Sequence, residues 1–172
     1  MNDRIRLVLL FLVLAAFVAA RAGGALGASK HVSRATAVAH EQARIVRFAR
    51  RYLGVRYVYG GTSPRSGFDC SGFTRFVYAH FGIALPHYTV AQFGLGRRVS
   101  RVGLRPGDLV FFDGLGHVGL YVGGGRFIHA PHTGSRVEID SLGGSYGSGY
   151  DGARRKRPRG RGRAAQSGCV RS

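Results

Sequence analysis

Between Asp108 and Asp140 the chain breaks into four short runs: Asp108 to Asp113, His117 to Val122, Arg126 to Ala130 and Arg136 to Asp140. Each is apolar or alternating, and none is long enough to read as a helix of about ten residues or more. Gly123-Gly124-Gly125 joins the second run to the third as a tight hairpin. A stretch of this kind has to bury one face as an antiparallel sheet. Two helical patterns precede it. From Thr36 to Leu53, Val38, Gln42, Ile45, Val46, Ala49 and Leu53 recur at three- and four-residue steps, with Arg residues opposite and Gly54 placed as a C-terminal cap. The second helix begins near Cys70, carries Phe73, Phe76, Val77 and Phe81 on one face, and ends at Gly82, with Asp69 or Ser71 as its N-cap. The stretch Tyr57 to Phe68 reads as a loop. Helices first and strands after predict an α+β fold, with helices packed on a small antiparallel β-sheet.

The ends of the chain have other compositions. Arg4 and Arg6 precede a fourteen-residue apolar run, Leu7 to Ala20, and small residues follow to Ala28. The run fits the apolar core of a signal peptide and falls short of the roughly 20 residues of a membrane-spanning helix. Residues 1–28 are therefore expected to be an export signal, with an uncleaved anchor as the alternative. The folded domain is expected over residues 36–142. From Gly143 a Gly-rich stretch passes into an Arg-rich one, so residues 143–172 are expected to be a disordered basic tail. The formal net charge is +18, and residues 153–172 carry eight positive charges with no acid. Such a surface suits an anionic polymer or an anionic membrane face. Nucleic acid is not the expected partner of an exported protein, and the domain is expected to be a monomer. The two cysteines, Cys70 and Cys169, are too few for a disulfide scaffold.

Cys70 is the candidate nucleophile. A Cys in the first turn of a helix faces unpaired backbone N–H groups and the positive end of the helix dipole, which predicts an acidified thiol. His117 and His129 lie twelve positions apart across the Gly123–Gly125 turn. In an antiparallel hairpin that even spacing puts both on one sheet face, with Val118, Leu120 and Val122 on the other. One imidazole can take the Cys proton while the second holds it, the logic of nucleophile, base and orienting group. Two readings stand beside this one: a buried structural Cys with unrelated hairpin histidines, and a Cys–His–His zinc site, although the spacing matches no common zinc motif.

Five segments in order carry a family resemblance. They are Tyr57-Val58-Tyr59-Gly60-Gly61; Phe68-Asp69-Cys70-Ser71-Gly72-Phe73; Arg105-Pro106-Gly107-Asp108-Leu109-Val110-Phe111-Phe112; His117-Val118-Gly119-Leu120-Tyr121-Val122-Gly123; and Phe127-Ile128-His129-Ala130. Together they resemble the NlpC-type cell-wall endopeptidases over about residues 42–140. The resemblance implies a compact papain-like fold and cleavage of peptidoglycan stem peptides, often between D-glutamate and a diamino acid. It implies Cys70 as nucleophile, His117 as base, His129 as the orienting group and Tyr57 beside the oxyanion, with no metal or organic cofactor. His132 is a rival for the third role. Asp69 and Ser71 resemble residues that bind the amine end of the stem peptide. Members usually read Leu-Pro-Arg and two small hydroxyl residues where this chain has Leu85-Pro86-His87-Tyr88-Thr89. Gln92 is retained, and His87 and Gln92 complete the expected substrate-binding set. A cell-wall location, periplasmic or secreted, is expected. An amidase, an acyl or peptidyl transferase on the same site, and an idle wall-binding module are the alternatives.

Overall fold

The structure, a computed structural model, describes residues 25–156, with side chains described from Thr36 onward. The chain divides into two units, residues 1–40 and residues 41–172. In the first, residues 25–40 are helical, as the start of α1 (Ala25–Ala49), so helix begins well before the expected Thr36. The export-signal reading lies, apart from residues 25–28, outside the described residues. No helix among the described residues is long and apolar enough to cross a membrane.

The second unit has the α+β architecture that the pattern predicts and the papain-like fold that the resemblance implies. Its described residues form the last turns of α1, then α2 (Cys70–Ala79), the short α3 (Thr89–Phe93), and eight strands. Strands β1 (Thr62–Ser63) and β2 (Gly67–Phe68) form a small hairpin inside the stretch read as loop. The main sheet contains β3 (Arg97–Val99), β4 (Leu109–Phe112), β5 (His117–Gly123), β6 (Arg126–His129), β7 (Glu138–Ser141) and β8 (Tyr150–Arg155). It is antiparallel throughout, in the order β3-β8-β4-β5-β6-β7. The alternation of strand side chains divides its core in two. Leu109, Phe111, Val118, Leu120 and Ile128 pack with Phe73 and Val77 of α2 and Ile45 and Phe48 of α1. Val110, Phe112 and Phe127 pack on the other side with Leu142 and Ala153.

The expected disordered tail needs correction at its start. Residues 143–156 are part of the fold: Ser145–Gly147 forms a 3-10 turn, and β8 is an interior strand between β3 and β4. The Gly- and Arg-rich composition hid it. Arg154 and Arg155 do not stand in solvent here; they are 9% and 8% exposed. Arg155 grips Asp108 with two hydrogen bonds of 2.7 Å, from Nε to Oδ1 and from a terminal guanidinium nitrogen to Oδ2. Asp108 is fully buried, and its Oδ2 also accepts from the Arg105 amide at 2.8 Å. Arg154 lays its guanidinium 3.6 Å from the Phe93 ring centroid and donates to the Phe93 carbonyl at 2.6 Å. The remainder of the tail, residues 157–172 with Cys169, lies outside the described residues.

A buried ion pair that loses one partner leaves an uncompensated charge, at a cost of about 3–5 kcal/mol. Arg155→Ala is therefore expected to lose about that much stability in urea unfolding. A chain ending at Leu142, as the disordered-tail reading would permit, is expected to show no cooperative transition. A loss under about 1 kcal/mol for Arg155→Ala, the scale of an exposed pair, would contradict this role for β8.

Candidate active site

Asp69 precedes α2 in extended conformation, with φ −92° and ψ 177°, and caps it. Its Oδ1 accepts from the Gly72 amide at 2.6 Å and from the Ser71 hydroxyl at 3.2 Å. Its Oδ2 accepts from the Gly60 amide at 3.0 Å, which ties the Tyr57–Gly61 loop to the helix start. The loop also packs hard on α2. A Cβ on Gly72 would sit 2.0 Å from the Gly61 carbonyl oxygen, so only glycine fits there. Cys70 thus begins α2, half-buried, as the sequence pattern predicts. The backbone amides of Ser71 and Val118 lie close enough to its sulfur to favour the thiolate, and Thr89 Oγ1 lies 4.0 Å from it. Val118 directly follows His117, so the start of β5 meets the start of α2 at the thiol.

The expected acidified thiol is not realised. Burial pushes the Cys70 pKa up, and the adjacent Asp69 carboxylate pushes it further. The donors at Val118, Thr89 and Ser71 act the other way and are outweighed. The capping carboxylate that makes the helix start also offsets the positive field of that helix end.

His117 and His129 come together as the hairpin pattern predicts. In the observed register Leu120 faces Ile128 and Tyr121 faces Phe127, so the two histidines are diagonal neighbours on one face rather than directly opposite. His117 Nε2 lies 2.7 Å from His129 Nδ1, and His129 Nε2 lies 3.1 Å from Asp140 Oδ2 on β7. Burial is the main cause that pulls the His117 pKa down to about 4 and the His129 pKa down to about 3. Both rings are therefore neutral near pH 7. Tyr146, from the 3-10 turn before β8, covers them. Its ring lies 5.7 Å from the His117 ring, nearly parallel, and 5.1 Å from the His129 ring, edge-on.

The remaining expected residues separate into groups. Tyr57 bridges to Phe68, two residues before Cys70, and its hydroxyl pKa is raised by burial and then by Cys70 and Asp69. His87 Nε2 sits 2.9 and 2.8 Å from the two Asp69 oxygens, so His87 is at the site, paired with the helix cap. Gln92 lies inside the fold. It is fully buried, accepts from Thr74 at 2.8 Å, and donates to the carbonyls of Ser71 at 2.9 Å and Pro86 at 2.8 Å. With its amide engaged by the protein, it holds α2 and the Pro86 loop together. The Ser71 hydroxyl is likewise buried and turns to Asp69. His132 is not the third member: its Nδ1 turns to the Thr133 carbonyl at 2.9 Å, while His129 meets His117. Nor do Cys70, His117 and His129 converge as metal ligands. Among the described residues the atoms that do, within 4.8 Å of one another, belong to His129, Glu138 and Asp140.

Sequence reasoning missed Thr89, Asp140 and Tyr146. The period-two spacing of Glu138 and Asp140, on a strand next to the one carrying His129, was a usable signal for Asp140. Nothing local in Gly144-Ser145-Tyr146-Gly147 marks Tyr146.

A model of the NlpC/P60 family matches residues 54–155. "Probable endopeptidase p60" of Listeria monocytogenes is 45% identical over 104 residues, which cover 59% of this chain and 21% of that protein. "Gamma-DL-glutamyl hydrolase" of Bacillus subtilis is 40% identical over 108 residues, 59% of this chain and 26% of its own length. The chain thus spans about a quarter or less of the length of these two relatives. Among solved structures, the NlpC/p60 domain of the peptidoglycan hydrolase SagA superposes with a TM-score of 0.61 at 40% identity, covering 67% of this chain and 98% of that one.

A thiol held up by burial and by Asp69 should alkylate slowly at neutral pH. The rate for the substrate-free protein is expected to rise with a midpoint above the free-Cys value of about 8.5. Asp69→Asn should shift that midpoint down if the variant folds. A wild-type midpoint clearly below about 8.5 would show that the helix end prevails over Asp69.

Proposed function

The chain belongs to the NlpC/P60 family, and from that membership and the geometry around Cys70 we propose that it is a cysteine endopeptidase of peptidoglycan stem peptides. The observation that carries the reading is the line of Asp140, His129 and His117, with the amide after His117 close enough to the Cys70 sulfur to favour its thiolate. A structural Cys needs no such arrangement.

In the proposed reaction the resting site holds a thiol and a neutral imidazole. His117 Nε2 is engaged by His129, so Nδ1 is the nitrogen that takes the thiol proton as sulfur attacks the scissile carbonyl. The carbonyl oxygen becomes an oxyanion, bound by the N–H groups at the start of α2 with Tyr57 beside them. When the C–N bond breaks, His117 returns its proton to the leaving amine and a thioester remains on Cys70. Water, deprotonated by His117, then attacks the thioester and frees the carboxylate and the thiol. The Tyr146 ring shields the imidazoles from solvent and restricts their rotation. His87 and Asp69, beside the nucleophile, are the proposed contacts for the polar end of the stem peptide. His87 is the more exposed of the pair, at 26% against 12% for the side chains.

The substrate class places the activity outside the cytoplasm, in keeping with the export signal read in residues 1–28. The excess of basic residues favours adhesion to anionic wall polymers or an anionic membrane face.

Digestion of defined muropeptides by the full chain under reducing conditions, followed by mass spectrometry, tests the proposal. Stem cleavage is expected. Cys70→Ala and His117→Ala should each lose on the order of ten-thousandfold or more in kcat, and His129→Ala less. Near-wild-type turnover by Cys70→Ala would end the reading. A larger loss at His129 than at His117 would reverse their roles.

A further inference from the structure

The third strand of the hairpin region supplies a group for which the Cys–His–His reading has no role. His129 on β6 faces Glu138 on β7 in register, and Asp140 lies two residues further on the same face of β7. A side chain there is a diagonal neighbour of His129, and Asp140 Oδ2 comes within 3.1 Å of His129 Nε2. His129 itself is fully buried, whereas the Asp140 side chain is 40% exposed. One polar contact thus reaches from the sheet edge into the covered pair of imidazoles.

We propose that Asp140 is a positioning residue that sets the proton order along the whole line, so that His117 presents a bare Nδ1 to Cys70. This rests on the reading of Cys70 and His117 as nucleophile and base. An ionised carboxylate can only accept a hydrogen bond, so His129 Nε2 must carry a proton to meet it. A neutral imidazole has one N–H, so His129 Nδ1 is left as an acceptor. His117 Nε2, 2.7 Å from that acceptor, must then be the donor, and Nδ1 of His117 keeps its lone pair. Each step excludes the opposite tautomer. Without the carboxylate, two neutral imidazoles can bond in either sense, and in the reverse sense His117 carries its proton on Nδ1 and cannot take another from the thiol. Among the described residues, Glu138 is the neighbour able to substitute, because its carboxylate belongs to the same cluster within 4.8 Å.

Nitrogen NMR of the full chain with 15N-labelled histidine, read without substrate, reports which ring nitrogens are protonated. The wild type is expected to show both His117 and His129 as the Nε2–H form. Asp140→Ala in a Glu138→Gln background should give mixed tautomers at both rings. Asp140→Asn, nearly isosteric, serves if the Ala variant does not fold. Its amide can donate as well as accept, so it should also mix them. Asp140→Glu, again acceptor-only, should restore the Nε2–H forms. On muropeptides the Ala and Asn variants should lose on the order of 10- to 100-fold in kcat with KM little changed. Unchanged tautomers and unchanged kcat in Asp140→Ala/Glu138→Gln would overturn the proposal. So would an Nδ1–H form of His117 in the wild type. The spectrum needs no turnover. Normal tautomers in a wild type that cleaves nothing would therefore count against the peptidase reading and support the role of Asp140.

Discussion

Asp69 takes the Gly72 amide on one oxygen and the Gly60 amide on the other, so a single carboxylate joins the first turn of α2 to the loop that carries Tyr57. Everything at the reacting end follows from that join. It fixes where α2 starts, and hence that Cys70 sits in its first turn. It draws the loop so close to the helix that Gly61 and Gly72 pass backbone to backbone. His87 closes on the same two oxygens, which brings the Pro86 loop, and Thr89 after it, to the thiol. The arrangement has an electrostatic consequence: a carboxylate suited to capping a helix opposes the ionisation of the residue next to it.

The two halves of the site are held by different means. The nucleophile rests on a helix cap and backbone contacts, the base on a sheet. Strands β5, β6 and β7 bring His117, His129 and Asp140 into line through register alone, and β8 keeps the sheet in place through Arg155 and Asp108. The chain segment between β7 and β8 then lays Tyr146 over the imidazoles. Burial leaves both rings neutral, and the thiol is pushed toward its protonated form. The proposed chemistry accordingly starts from neutral groups and moves the proton as the bond forms.

Much of this was legible in the residues. The strand pattern from Asp108 to Asp140, the capped helix at Cys70 and the shared face of His117 and His129 follow from period and turn chemistry. What escaped did so for physical reasons. Strand β8 reads as tail because Gly and Arg are poor strand and core residues, yet Asp108, far away in the chain, neutralises Arg155 inside the fold. Gln92 was expected at the substrate because the family resemblance retains it, whereas three internal hydrogen bonds, invisible in the sequence, tie it into the fold. The thiol acidity was misjudged because the helix end was weighed without the burial of the thiol and without the charge of its cap. Tyr146 and Asp140 act through tertiary placement, which a local pattern does not carry.

The proposed chemistry requires a thioester on Cys70 between attack and release. Mixing the full chain with excess defined muropeptide, quenching in acid within the first turnover and mapping the protein by mass spectrometry looks for it directly. The expected result is a mass gain equal to the acyl half of the stem peptide, on the peptide that contains Cys70. Product formed at full rate by Cys70→Ala, with no adduct on the wild type at any time, would contradict it.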